Sequence, residues 1–428
     1  VIFRDRMSLL RLSCLGTIVL VASGAPEWKN WIRGFGHDVY LYPGWIREEM
    51  NACECKVAET IECVDTRSWV RTGSSDAFIG FCESKEWLLR HMPKFDLNYL
   101  PPSVSIEGTS MLDDNIAFFL MAQNASKFSP DIPKHLKEAY ILPYASYHEA
   151  RVNWRPLFFA KFFQIVEGAK NTAEAMEALI APNLFTNWTG FNWPDKPPGG
   201  GQNANYQIQW GSSTAPPIIS PFSFVAYGYG SCTGWSTLLT FVARSVGIPA
   251  RQVGTPCWNS GFFEGLAVNN PNVSKCWHGG DIQHGTVGGG FLNNHNWVEF
   301  WDSELGEWEF INVPPGTKTP NGGLCGASFD PQKGCGWAKM TGCNGVKGGP
   351  GAASRDHEIF AVTWSDETSF KPAIDGGDFV NVENMTLSNG DPVSHLVWSP
   401  NLRSPLGKLI TRQDLRLINR TEFYRCKD

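Results

Sequence analysis

Apolar residues recur at intervals of three and four over Met111 to Gln123 and Trp154 to Val166, and Thr172 to Ile180 continues the pattern. That period predicts a helical lead-in. It returns at Trp235, Leu238, Leu239, Val242, Ala243 and Val246, which marks a helix that begins at Cys232 and is stopped by Gly247 and Pro249. Further on the period changes to two. His295-Asn-Trp297-Val-Glu299-Phe-Trp301 alternates, Trp308-Glu-Phe310-Ile-Asn312 alternates, and Asp302-Ser-Glu-Leu-Gly306 between them has turn composition, so the pair predicts an antiparallel hairpin. Short strands are expected at Phe360 to Trp364, Phe379 to Val382 and Leu396 to Trp398, and a short helix at Lys85 to His91. Pro194 to Gln202, Ala215 to Pro221 and the Gly-rich stretch Pro314 to Gly351 read as loops, and no fixed-period repeat is evident.

The chain has 428 residues and a net charge of -6, which suggests two or three domains and gives no basic footprint for nucleic acid. Arg4, Arg6 and Arg11 flank an apolar run from Leu12 to Ala22 that is short for a bilayer span. This predicts a signal peptide over 1–24, with translation starting at Met7 and cleavage before Ala25. No later segment reads as a membrane span, so the expected address is outside the cell or in the lumen of the secretory route, vacuole and lysosome included, with no membrane partner once the signal is removed. The cysteines agree. Of twelve, Cys14 leaves with the signal and Cys232 is wanted free. Cys53, Cys55, Cys63, Cys82, Cys257, Cys276, Cys325, Cys335, Cys343 and Cys426 remain, an even set able to close as disulfides of unread connectivity. A zinc site at Cys53-Glu-Cys55 or among Cys325, Cys335 and Cys343 is the rival, but C-x-x-C spacing is absent, and no metal is expected. Sequons at Asn124, Asn187, Asn272, Asn384 and Asn419 are candidate N-glycan sites.

The chemistry concentrates in the helix and the hairpin. A cysteine in the first turn of a helix meets unpaired backbone N–H groups and the positive end of the helix dipole, which favour its thiolate. Cys232 is therefore the expected nucleophile and His295 the base and acid. Asn312 orients the imidazole. If Asp302 faces Glu307, Asn312 lies opposite Trp297 and diagonal to His295; a tighter turn puts it directly opposite His295, and either register brings the two within reach. Asp302 is the competing third member but falls in the turn. The oxyanion donors expected are the Cys232 N–H and, second, Tyr227 or Tyr229. Trp235, Trp297 and Tyr229 are expected to support the substrate cleft, Trp297 with core packing as its default role. Trp188, Trp193 and Trp210 around a Pro/Gly loop offer sugar-stacking faces, with plain packing the favoured reading. Gly254 to Gly290 carries Cys257, Cys276, His278, Asp281 and His284; the glycines argue for a loop tied by Cys257 and Cys276, against a metal site.

Tyr229-Gly-Ser-Cys232-Thr-Gly-Trp235, Ser245-Val-Gly247-Ile-Pro249-Ala-Arg251, Asn294-His295-Asn-Trp297-Val-Glu299 and Trp308-Glu-Phe-Ile-Asn312 resemble the core of the transglutaminase-like superfamily. The resemblance covers about Ala226 to Pro315, and more loosely Leu142-Pro-Tyr144 and Phe360 to Trp364. It implies an α+β, papain-like fold with the nucleophile helix packed on an antiparallel sheet, a helical lead-in and disulfide-rich flanks. It also implies a Cys, His, Asp triad, here with Asn312 in place of the acid. The organisation expected is a signal at 1–24, a Cys-rich N-terminal segment at 25–110, a helical lead-in at 111–200, a catalytic core at 201–320 and a Cys/Gly-rich extension at 321–428. The activity expected is thiol-dependent acyl transfer on amide or peptide bonds of a protein or peptide substrate, without cofactor. Hydrolysis by a peptidase or amidase is favoured, because nothing reads as the added β-sandwich domains of animal cross-linking transglutaminases. Cross-linking transamidation, a catalytically silent peptide- or glycan-binding module, and de-N-glycosylation are the alternatives.

Overall fold

The computed structural model describes residues 44–57, 61–65, 79–93, 96, 111–146, 149–180, 209–210, 220–222, 225, 229–230, 232–255, 295–311, 359–381 and 416–424. In chain order the main elements are helix α1 (Gly44–Ala52), strands β1 (Cys53–Val57) and β2 (Ile61–Asp65), and helices α2 (Phe81–His91), α3 (Met111–Ala125), α4 (Lys134–Tyr140), α5 (Arg155–Val166) and α6 (Thr172–Leu179). Then come β3 (Gln209–Trp210), β4 (Tyr229–Gly230), α7 (Cys232–Ser245), β5 (Ala250–Thr255), β6 (His295–Asp302), β7 (Glu307–Ile311), β8 (Phe360–Val362), α8 (Pro372–Asp375), β9 (Asp378–Asn381), β10 (Arg416–Asn419) and α9 (Thr421–Tyr424).

The architecture is mixed, helices packed on one antiparallel sheet. Six strands run in the order β7-β6-β5-β8-β10-β9, every described neighbour antiparallel. Strands from residues 250–311 and from 360–419 share that sheet, so the C-terminal stretch supplies half of it. Helix α7 lies against β5 and β6, α5 lies on α7, and α3 lies on α5. Burial follows the stacking: every residue of α7 is buried, and α3 is buried from Asp114 to Gln123. A helix apolar on all sides, as α3 nearly is, has to be enclosed by protein.

The elements end where local chemistry ends them. Gly247, at φ 90°, stops α7 in a left-handed turn in which the Ile248 N–H donates to the Ala243 carbonyl at 3.0 Å. A Cβ there would lie 3.3 Å from the Ser126 hydroxyl oxygen of the neighbouring α3 terminus. Helix α6 is capped by Asn171, whose side chain accepts from the Glu174 N–H at 2.8 Å. Arg155 fastens the layers: its guanidinium donates to Asn115 Oδ1 at 2.7 Å, to the Arg244 carbonyl at 2.8 Å and to the Ile141 carbonyl at 2.6 Å. It is held by carbonyl dipoles at the ends of α7 and α4, not by a carboxylate.

The opposite face of the sheet carries a buried charged network. Glu299 on β6 receives Arg251 of β5 through Nη2 at 2.6 Å and Nε at 2.8 Å, the Arg420 Nε at 3.0 Å and the Tyr424 hydroxyl at 2.7 Å. The Tyr424 oxygen in turn accepts from Trp297 Nε1 at 2.8 Å. Arg251 stacks over Trp308 at 3.7 Å and donates to the Tyr140 hydroxyl, which donates to Asp375, itself 2.7 Å from His135 Nε2. Burial alone would raise the Glu299 carboxyl, but Arg420 and Arg251 hold it below its ordinary value. The C-terminal helix α9 is thereby tied into β6.

At the N-terminal end, β1 and β2 form an antiparallel hairpin joined to α2 by the disulfide Cys53–Cys82, whose Cα atoms are 5.2 Å apart. The remaining cysteines of the expected disulfide set are either outside the described residues or lie in β1 and β2.

Candidate active site

Helix α7 presents two stripes. Trp235, Leu238, Leu239 and Val242 form the apolar one; Thr233, Ser236, Thr237 and Thr240 form a second, of hydroxyls, at the same helical spacing, and all of these residues are buried. Hydroxyls buried in that number need partners. Gln252 of β5 answers two of them: its amide donates to Ser236 Oγ and Thr237 Oγ1, each at 2.8 Å, and its carbonyl oxygen accepts from Ser146 at 2.8 Å. Asn296 of β6 answers Thr233, whose hydroxyl donates to Asn296 Oδ1 at 2.7 Å. Strand alternation explains the division of labour. Gln252 and Asn296 face α7, while Arg251, Trp297 and Glu299 face the charged network behind the sheet.

Cys232 is the first residue of α7 and, among the described residues, the free cysteine. Its side chain is 7 % exposed, and Sγ lies 3.9 Å from Asn296 Oδ1. Burial pushes the thiol up from its ordinary value; backbone N–H groups of Asn296, Thr233 and Cys232 itself, with the Thr233 hydroxyl, pull the other way. The N–H groups at the helix start favour the thiolate, as expected of that position, and desolvation outweighs them.

The other sequence-predicted residues fall as follows. His295 is the first residue of β6, its backbone paired with Thr255 of β5. The side chain of His295, the side chain of Tyr229 on β4, and the whole of Tyr227 and Asn312 lie outside the described residues. The hairpin has the wider of the two registers considered: Asp302 pairs with Glu307 and Val298 with Ile311. Asp302 is committed to the turn, where Oδ1 accepts from the N–H groups of Glu304 at 2.8 Å and Leu305 at 3.1 Å, which removes the ground for preferring it as third member. Trp297 is fully buried, and its indole N–H is taken by Tyr424, so it takes the core role that was its default. Trp235 is likewise buried, within α7. Asn296 was missed as a neighbour of the sulfur; the hydroxyl stripe of α7 is the signal that a polar partner had to face it. The segment 256–294, with His278, Asp281, His284, Cys257 and Cys276, lies outside the described residues, as do Trp188 and Trp193. Among the described residues no group of three or more His, Cys, Asp or Glu is disposed to hold a metal.

Set against protein families, residues 202–313 match the model of the transglutaminase-like superfamily. The chain carries a transglutaminase-like superfamily domain. Neither a curated protein nor a solved structure matches it. The matched span of this transglutaminase-like domain runs from just before β3 through the end of β7, and so takes in α7 with Cys232 and β6 with His295. The superfamily generally performs thiol-dependent acyl transfer, which gives the free cysteine at the start of α7 a chemical context.

Proposed function

We propose that the chain is a cysteine-dependent hydrolase of amide or peptide bonds, working through a thioester on Cys232 in a papain-like arrangement. The observation that carries this reading is the free thiol at the first position of a buried helix, within the span that matches the transglutaminase-like superfamily, beside the strand that begins at His295. In this reading His295 takes the Cys232 proton and the sulfur attacks the carbonyl carbon. The imidazolium returns the proton to the leaving amine, and water then releases the acid from the thioester. An imidazolium beside the sulfur would supply the charge needed against the burial that now pushes the thiol up. Asn312 orients the imidazole, and the Cys232 N–H receives the oxyanion. Protein-glutamine transamidation differs only in the acceptor, an amine in place of water.

The decisive experiment compares wild type with Cys232→Ala on a peptide library and on a glutamine-containing protein mixed with a fluorescent amine, with product release and amine incorporation both read. Release abolished by the substitution is the expected result. Amine incorporation exceeding release would replace hydrolysis by cross-linking. A second reading, a catalytically silent peptide- or glycan-binding module, is favoured by the 7 % exposure of Cys232 and by the upward push on its thiol. Iodoacetamide separates the two: alkylation of Cys232 faster than that of free cysteine at mildly acidic pH supports the enzyme, and an inert thiol supports the module.

We also place the chain in the secretory route or outside the cell. The Cys53–Cys82 disulfide supports this, since such bonds persist in oxidising compartments, and no described helix is long and apolar enough to cross a membrane. Of the candidate glycan sites, Asn124 is exposed near the end of α3; a mass shift on glycosidase treatment of secreted protein tests it.

A further inference from the structure

The register of the N-terminal hairpin sets two cysteines face to face. Cys53 pairs with Asp65, Cys55 with Cys63 and Val57 with Ile61, so Cys55 and Cys63 are direct cross-strand partners. We infer that Cys55 and Cys63 form a second disulfide beside Cys53–Cys82, cross-linking the hairpin on itself as well as to helix α2. Directly opposed residues of an antiparallel pair have Cα atoms about 4.5 or about 5.5 Å apart, according to the pair type. Both distances fall inside the span of about 4.4–6.8 Å that a disulfide accepts. The nearby alternatives are already bonded: Cys53, the other cysteine on β1, is joined to Cys82. Only residues 58–60 separate the two strands, so pairing in this register brings the two positions opposite each other at little cost in loop closure.

The chemistry balances by thiol–disulfide exchange. The thiolate of one cysteine attacks an oxidised dithiol compound, either oxidised glutathione or a protein disulfide donor, and displaces one thiol to give a mixed disulfide. The thiolate of the other then attacks that bond and displaces the second thiol, leaving Cys55–Cys63 while the donor takes up two electrons and two protons. The result is independent of the activity proposed for Cys232. It fixes one connectivity that cysteine spacing leaves open.

The sequence allows the test on the unaltered chain. Cleavage after glutamate and arginine leaves Cys53, Cys55, Cys63 and Cys82 on separate peptides, 50–54, 55–59, 63–67 and 72–83. Full-length protein made in a secreting host is denatured at mildly acidic pH with an alkylating agent that blocks free thiols, digested without reduction, and analysed by mass spectrometry. The expected result is 55–59 joined to 63–67 and 50–54 joined to 72–83. Alkylated Cys55 and Cys63, crossed links to Cys53 or Cys82, or links to cysteines elsewhere would overturn the inference. So would zinc, measured on the native protein in a one-to-one ratio with all four thiols alkylated on denaturation.

Discussion

Glu299→Gln is the most telling single substitution in the sheet. It keeps the shape of the side chain and removes the charge that two buried guanidiniums share. Arg251 is fully buried and Arg420 is 3 % exposed, and between them they place donors at 2.6, 2.8 and 3.0 Å from the carboxylate oxygens. Glutamine retains one acceptor, and its amide group would confront donors of Arg251, or of Arg420 and Tyr424. Removing one partner of a buried ion pair costs about 3–5 kcal/mol. The lower half of that range applies here, because Asp375 also lies near enough to favour the Arg251 charge. A loss of about 3 kcal/mol is a large share of the roughly 5–15 kcal/mol that holds a domain folded. The assay is urea unfolding, since guanidinium salts screen ion pairs, together with hydrogen exchange over residues 250–255 and 295–302. The pH dependence gives a second check. The Glu299 carboxyl titrates below its ordinary value of 4.5 in the folded chain, so its stabilisation is fully present above 4.5 and is lost as pH falls through the lower, folded value. The gap between wild type and variant should therefore be constant from pH 6 to 8 and close in acid. A gap under about 1 kcal/mol at pH 7 would show that the charged network does not hold β5, β6 and α9 together.

Three further outcomes follow from single contacts. Thr233→Val removes the 2.7 Å bond to Asn296 and leaves a buried carboxamide oxygen short of a donor, so it should lower stability by about 1–3 kcal/mol in urea unfolding. If Cys232 is catalytic, the same variant should also lower turnover more than substrate affinity. Asp366 is held down to about 2: burial acts to raise it, but the hydroxyl of Thr368 and the N–H and hydroxyl of Ser369 outweigh that. Its contribution is present above its ordinary 3.8 and lost as pH falls toward 2, so Asp366→Asn should lower stability by a constant amount at neutral pH, with the gap to wild type closing as pH falls from 3.8 toward 2. Lys137 is buried in α4, and desolvation lowers it to about 8. The unfolded chain binds the extra proton between about 8 and 10.5, so Lys137→Met should raise the thermal midpoint most at pH 7 and progressively less above 8; an equal gain at pH 10 would refute the desolvation account.

Periodicity carried the helices well. The expected spans at 111–123, 154–166 and 172–180 correspond to α3, α5 and α6 within two residues at each end, and the Gly247 stop of α7 is where its composition puts it. Strands were legible where aromatic residues alternate along the chain. The β6–β7 hairpin alternates and was read; β5, with the sequence Ala-Arg-Gln-Val-Gly-Thr, was not. The reason is physical: both faces of β5 are covered, one by α7 and one by the charged network, so Arg251 and Gln252 are buried with partners distant in sequence. β10 escaped notice for the same reason, Arg416 reaching the carbonyls of His91 and Trp364. Helix α1 and the β1–β2 hairpin were hidden by a cysteine-rich composition that offers no long apolar run.

The site was half legible, and the missing half is instructive. Cys232 announced itself because a helix start is a local property, readable from the residues that follow it. Asn296 did not, because alternation along β6 puts it on the face opposite Trp297 and Glu299, and the hairpin sequence by itself does not show what covers that face. That face belongs to the nucleophile helix, where Asn296 meets Thr233 and Cys232. The hydroxyls at 233, 236 and 237 needed acceptors and donors on the strand surface they face, and Gln252 and Asn296 are the polar residues of β5 and β6 that meet them. A stripe of small hydroxyl residues along a helix that begins with a thiol therefore says two things at once: the helix is buried against a sheet, and polar residues of that sheet stand next to the sulfur. The position of Asn296 makes it the residue through which a change in β6 is felt at Cys232, since its backbone belongs to the strand that begins at His295 and its side chain belongs to the sulfur's surroundings.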